Sequence, residues 1–189
     1  MEFYHVVTER PMYVGQHIIF DEEHHSGVYS RVMEKKSIVD DIYTYPDNYS
    51  DEELEHHTKV ALRELALEEI RRMEYPSFPS RMSSLYVSRT LEEAEKWFDF
   101  FTQLGRPTFQ IVRVKVSGRV FEGNANRCFD GTKNKNRNLV MAREYWKNDA
   151  KADIENNPVV EVLVDGDIEV LEIILEREYN GKTERNIMY

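Results

Sequence analysis

The chain has one cysteine, Cys128, in 189 residues. A lone thiol closes no internal disulfide and builds no Cys-based zinc site, so a reducing, cytoplasmic setting is expected. No base neighbours Cys128 in the sequence, and it reads as a packed thiol rather than a nucleophile. Glycine is sparse too, with eight scattered residues. Neither GxGxxG nor GxxxxGK[ST] occurs, which argues against the glycine-cradled phosphate sites of Rossmann and P-loop proteins. A GxSxG elbow is also missing, so no nucleophilic serine stands out. There is no 18-residue apolar run, so no membrane span is expected. Met1–Val7 lacks the basic flank and long apolar core of a signal peptide. Positive charge is in deficit: 25 Lys plus Arg stand against 35 Asp plus Glu, a formal net charge of -10. Such a chain is repelled by nucleic acid and anionic membrane unless cations are concentrated locally.

What is present is enough for a core. Hydrophobic residues make up 41% and aromatics 12%, which excludes disorder for the whole chain. The length fits a single domain over 1–189. Six histidines occur, including the pairs His24–His25 and His56–His57. Helical neighbours point about 100° apart, so His56 and His57 cannot grip one ion from one face. With no HExxH spacing, no metal site is expected.

Along the chain, Glu2–Thr8 alternates as a strand, with Phe3, His5 and Val7 on one face. Val14–Phe20 is a weaker extended segment, and Glu22–Tyr49 reads as loop with short helical pieces. Ser50 with Glu53 fits a capping box opening a helix whose apolar set runs from Leu54 to Ile70, ended by Pro76 and Pro79. Leu85–Ser88 is a short strand. Thr90 then caps a helix with Glu93 three residues on. Leu91, Ala94, Trp97, Phe98, Phe101 and Leu104 form its apolar stripe. Phe109–Val116 and Val159–Val164 are strands, and Leu139–Lys147 is a short helix. Asp165-Gly166 marks a turn into a strand at Ile168–Glu178, and Asn180-Gly181 marks a hairpin. Strands and helices do not alternate regularly, so the class is α+β with mostly antiparallel pairing and helices in the N-terminal half.

Two residues contradict their surroundings. Glu161 lies in the apolar strand VVEVLV, where a carboxylate is costly unless paired or at an edge. It reads either as a structural ion-pair partner or as a functional acid. His5 sits mid-strand among Phe3, Val6 and Val7. Residues 123–138 are Asn- and Gly-rich and locally basic, with Arg127, Lys133, Lys135 and Arg137; the following helix adds Arg143 and Lys147. This stretch could meet an anionic acceptor, or it could be a solvated loop.

FYHVVT at 3–8, SLYVSRTLEEAEKWF at 84–98 and PVVEVLVDGDIEV at 158–170 together resemble the ADP-ribosyltransferase superfamily. The order His–Tyr–Glu is similar to the subgroup that includes poly-ADP-ribosyltransferases and RNA 2′-phosphotransferases. The middle motif looks most like a bacterial and phage family within it. The resemblance implies a split mixed or antiparallel sheet and an enzyme that takes NAD+ as substrate. Such an enzyme releases nicotinamide and passes ADP-ribose to a protein or nucleic acid, as toxins and phage–host effectors of the superfamily do, some with an antitoxin partner. It implies that His5 binds a ribose hydroxyl, Tyr86 stacks on nicotinamide and Glu161 binds the 2′-hydroxyl of the nicotinamide ribose. Arg81 would reach the pyrophosphate, and Thr8, Arg10 and Ser88 would line the dinucleotide. The Glu-x-Glu signature of arginine-directed enzymes is missing, because Val159 stands two before Glu161. Alternatives on the same fold are an NAD glycohydrolase, an RNA 2′-phosphotransferase-like enzyme and a non-catalytic NAD or ADP-ribose binding module.

Overall fold

Alternating Val and Ile residues give this chain two antiparallel sheets that share one apolar interior. The computed structural model describes residues 1–147 and 159–177. The first sheet is built from β1 (Glu2–Val7), β2 (His17–Phe20), β4 (Gln110–Ser117) and β7 (Gly166–Glu176), in the order β1-β4-β7-β2. The second comprises β3 (Leu85–Val87), β5 (Val120–Asn124) and β6 (Val160–Val164), in the order β3-β6-β5. All the strand pairings are antiparallel. Between the sheets lie Phe3, Val7, Val112, Val114, Val116, Ile168 and Val170 from one, and Leu85, Val87, Val162 and Val164 from the other. The strands have period 2, so these residues face one another while their neighbours face outward.

The described residues form five α-helices, α1 (Gly27–Glu34), α2 (Lys36–Thr44), α3 (His56–Glu74), α4 (Leu91–Gln103) and α5 (Lys135–Trp146), of which α3, α4 and α5 cover the outer faces of the sheets. Ala94 and Phe98 of α4 pack on Val6 and Ile111 of the first sheet. Thr90 and Glu93 form the expected capping box. Leu104 lies past the last helical residue and is exposed, so the apolar stripe ends at Phe101. On the second sheet, Phe121 and Leu163 pack against Ala66, Leu67 and Ile70 of α3 and Ala142, Tyr145 and Trp146 of α5. The α+β class and antiparallel pairing expected from the sequence are observed. The helices, however, are not confined to the N-terminal half, because α5 lies in the C-terminal half.

Several boundaries differ from the sequence reading. α3 starts at His56 and not at Ser50. Ser50 opens only a turn, in which its carbonyl accepts from the Glu53 amide and its hydroxyl donates to Glu52. Residues 27–44 form two helices whose buried Val32, Val39 and Ile42 pack on Ala61 and Leu62 of α3. α5 begins at Lys135, because the Asn134 side chain accepts from the Arg137 amide and caps it. Gly166 takes φ 81° where the chain leaves β6 and enters the other sheet as β7. A Cβ on nearby Gly118 would lie 1.9 Å from the Asp165 carbonyl oxygen, so this crossover needs glycine. The Asn180-Gly181 hairpin lies outside the described residues. Among those residues no helix is long and apolar enough to cross a membrane.

Candidate active site

The two sheets meet at β1 and β3. Tyr4 and Ser88 exchange main-chain hydrogen bonds of 2.9 and 2.7 Å, an isolated bridge that joins the two sheets. Beside it, His5 Nδ1 lies 2.8 Å from the Tyr86 carbonyl oxygen. A carbonyl only accepts, so Nδ1 carries the hydrogen. Burial lowers the His5 pKa to about 4, against a smaller opposing pull from that bond. The ring is therefore neutral at pH 7, and Nε2 is left as a hydrogen-bond acceptor.

Antiparallel register puts Tyr86 opposite Leu163 and Gly123 opposite Glu161. Tyr86, Leu163 and Glu161 thus share the sheet face covered by α3 and α5. The Glu161 side chain is only 10% exposed, and its charge is met by Arg81 Nη1 at 2.9 Å from Oε1. Tyr145 of α5 donates its hydroxyl to the same oxygen at 2.7 Å. Oε2 makes no hydrogen bond among the described residues.

Arg81, expected at a pyrophosphate, is engaged by groups of the protein itself. Its guanidinium is buried and its donors are consumed internally. Nε donates to Glu64 Oε2 at 2.9 Å, and Nη2 reaches Glu64 Oε1 at 3.4 Å. Nη1 serves Tyr145 at 2.5 Å as well as Glu161. The guanidinium carbon lies 5.5 Å from the Tyr86 ring centre and 5.0 Å from that of Tyr145, so two aromatic faces flank it. Burial alone would push the Glu64 carboxyl up, but Arg81 and Arg63 outweigh it and hold it below the usual carboxylate range. Burial pushes the Tyr86 and Tyr145 hydroxyls well up, so both stay protonated. It also raises the Cys128 thiol, whose Sγ lies 3.9 Å from Arg81 Nη2; an un-ionised thiol there is packing, as the sequence suggested.

The structure therefore links His5, Tyr86 and Glu161: the first two directly, the last two through Arg81. Ser88 is buried at the bridge. Thr8 is half-buried just past β1 and Arg10 is exposed; among the described residues neither side chain bonds to the cluster. Sequence reasoning missed Glu64 and Tyr145. Glu64 and Glu68, one helical turn apart among Ala61, Leu65 and Leu67, were the available signal for buried carboxylates on α3.

Several cations of the basic stretch have partners within the protein. Lys133 donates to the Tyr49 carbonyl at 2.7 Å, Lys135 pairs with Glu69 at 3.0 Å, and Arg143 pairs with Glu74 at 2.6 Å. Lys147 pairs with Glu144. Acids of α3 and α5 and the nearby main chain take up these four cations, and two of the pairs clasp the segment onto α3. Gly131 allows the approach, since a Cβ there would sit 2.4 Å from the Lys59 carbonyl oxygen. A cleft of about 290 Å³ beside it is lined by Tyr43, Pro46 and residues 133–136, and shares no lining residue with the cluster. Among the described residues no group of three His, Cys, Asp or Glu side chains could hold a metal ion.

Fold and site define an α+β protein in which His5 and Tyr86 are joined where two antiparallel sheets meet, and Glu161 is held by a buried cluster of Glu64, Arg81 and Tyr145. The chain belongs to the DUF2441 family, described as a protein of unknown function, whose family model matches residues 3–176. That span includes every residue of the site. No curated protein matches the chain.

Proposed function

We propose that this protein is an ADP-ribosyltransferase that uses NAD+ as substrate, with an ADP-ribosyltransferase-like split sheet as its fold. The observation that carries the proposal is that one run of contacts joins all three residues: His5 bonds the Tyr86 carbonyl, and Arg81 lies against the Tyr86 ring while it pairs with Glu161. The chemistry of the free atoms supports it. Among the described residues His5 Nε2 and Glu161 Oε2 are both acceptors without a donor, which suits a ligand that presents hydroxyl donors, as the two riboses of NAD+ do. Arg81 covers one face of the Tyr86 ring, so a stacked nicotinamide would take the other.

In the reaction the bond between C1′ of the ribose and the nicotinamide nitrogen breaks. Nicotinamide leaves with the electron pair, and positive charge develops on the ribose. The Glu161 carboxylate, screened from bulk water, stabilises that charge more than it stabilises the ground state. An acceptor nucleophile then bonds to C1′ and loses its proton. The internal pairing of Lys133, Lys135 and Arg143 counts against an RNA 2′-phosphate or a long polyanion as that acceptor. A protein acceptor is the reading favoured here.

The test is nicotinamide release from NAD+, followed by mass spectrometry of protein and nucleic acid after incubation with cell extract. Wild type should release nicotinamide and mark an acceptor. Glu161→Gln should lose on the order of a hundredfold or more in rate, the scale seen when a charge-stabilising group is removed. Equal rates for the two proteins, or no release by wild type in any extract, would overturn the proposal.

A further inference from the structure

We infer that Tyr145 and Arg81 are positioning residues that hold the Glu161 carboxylate in one orientation and present a single oxygen, Oε2, to substrate. This deepens the reading of the site given above and rests on it for its catalytic consequence. The positioning itself follows from the bonding alone.

The Tyr145 hydroxyl has one hydrogen and two partners. Arg81 Nη1 can only donate, and Glu161 Oε1 accepts, so the hydroxyl receives from the first and gives to the second. Oε1 then holds two donors, at 2.7 and 2.9 Å. Rotation of the carboxylate about its last bond would break both. Tyr145 cannot drift, because its ring packs on Phe121 and Trp146, and the Trp146 indole donates to the Leu67 carbonyl of α3 at 2.8 Å. Arg81 cannot drift either, because Glu64 takes Nε and Nη2 on its opposite edge. The forked guanidinium thus spans α3 and β6 as a rigid strut, and Glu64 is its anchor. A carboxylate fixed in this way meets developing charge without reorganising, which is where such groups gain their effect. These residues act through Glu161 and need not touch the dinucleotide.

Tyr145→Phe isolates the claim, since it deletes one oxygen and leaves the ring packing intact. Crystal structures of ligand-free wild type and Tyr145→Phe test positioning without reference to activity. The Glu161 carboxylate should occupy one rotamer in wild type, and should turn or split between rotamers in the variant. A Glu161 that is unmoved and singly occupied in Tyr145→Phe overturns the inference. In nicotinamide-release kinetics, kcat should fall about tenfold with KM for NAD+ within about twofold, the pattern of an interaction made in the transition state. A raised KM with unchanged kcat also overturns it. Arg81→Lys keeps the charge but not the fork, and should show the same kcat loss. If wild type itself releases no nicotinamide, the NAD+ reading falls, and the paired crystal structures still decide whether Tyr145 positions Glu161.

Discussion

Replacing Arg81 by methionine should unbalance the most enclosed charges around the site. The Arg81 side chain is 7% exposed, Glu64 2% and Glu161 10%. Methionine fills part of the space but supplies no donor, so two buried carboxylates lose their shared cation. Breaking a buried pair from one side typically costs about 3–5 kcal/mol. For a domain of this size that corresponds to a fall in Tm of about 6–20 °C. The pH dependence gives a sharper check. In wild type the Glu64 carboxyl is held below its ordinary value of 4.5, so its contribution is present above that pH and fades as pH drops through the lower folded value. In Arg81→Met only Arg63 is left beside Glu64, at 2.9 Å. Burial then pushes this carboxyl upward, and the folded state binds protons more readily than before. The deficit of the variant should therefore be largest near neutral pH and shrink toward pH 4.5. Urea unfolding of both proteins at pH 7.5, 6 and 4.5 measures it. A loss under about 1 kcal/mol, the size of a solvent-exposed pair, would refute the reasoning. So would a deficit that does not change with pH.

Further outcomes follow from individual residues. His5 is neutral in the fold with a pKa of about 4, whereas the unfolded chain titrates near 6.5, so stability should decline as pH falls from 6.5 toward 4. At pH 4.5 His5→Gln should be spared about 2 kcal/mol of that decline in urea titrations. Thr90→Ala removes the side chain that accepts from the Glu93 amide, and should cost about 1 kcal/mol in thermal unfolding without altering NAD+ binding. Gly118→Ala forces a methyl against the Asp165 carbonyl at the sheet crossover, and should lower the urea midpoint by the equivalent of about 2 kcal/mol or more.

The elements that were legible in the sequence are those whose signals are local. Thr90 and Glu93 form their capping box, and the alternation of Val112, Val114 and Val116 places all three between the sheets. α1 and α2 were read only as pieces, because three buried residues, Val32, Val39 and Ile42, make a thin stripe across two helices that meet at Lys35. The start of α3 was misread because Ser50 and Glu53 close only a single turn through the Ser50 carbonyl, and the helix begins at His56. For the site, the oddity of Glu161 in an apolar strand was visible and its partner was not. Arg81 is separated from Glu64 by 17 residues and from Glu161 by 80, and no periodicity spans such distances. Tyr145 carried no signal at all, since an aromatic near a helix end is ordinarily core. The cations of residues 127–147 were counted correctly, but composition does not record that glutamates of α3 lie opposite them.

The Tyr4–Ser88 bridge means that His5 and Glu161 hang from different hydrogen-bonded ladders. The bridge and the His5–Tyr86 bond tie the ladders together at one edge, and away from that edge the layer of valines sets their separation, with Val112 and Val114 on one side and Val87 and Val162 on the other. Side-chain thickness in that layer is thus a ruler for how far the two ladders stand apart. Thinning it by a methylene should strain the bridge first, while the pairing within each sheet stays whole.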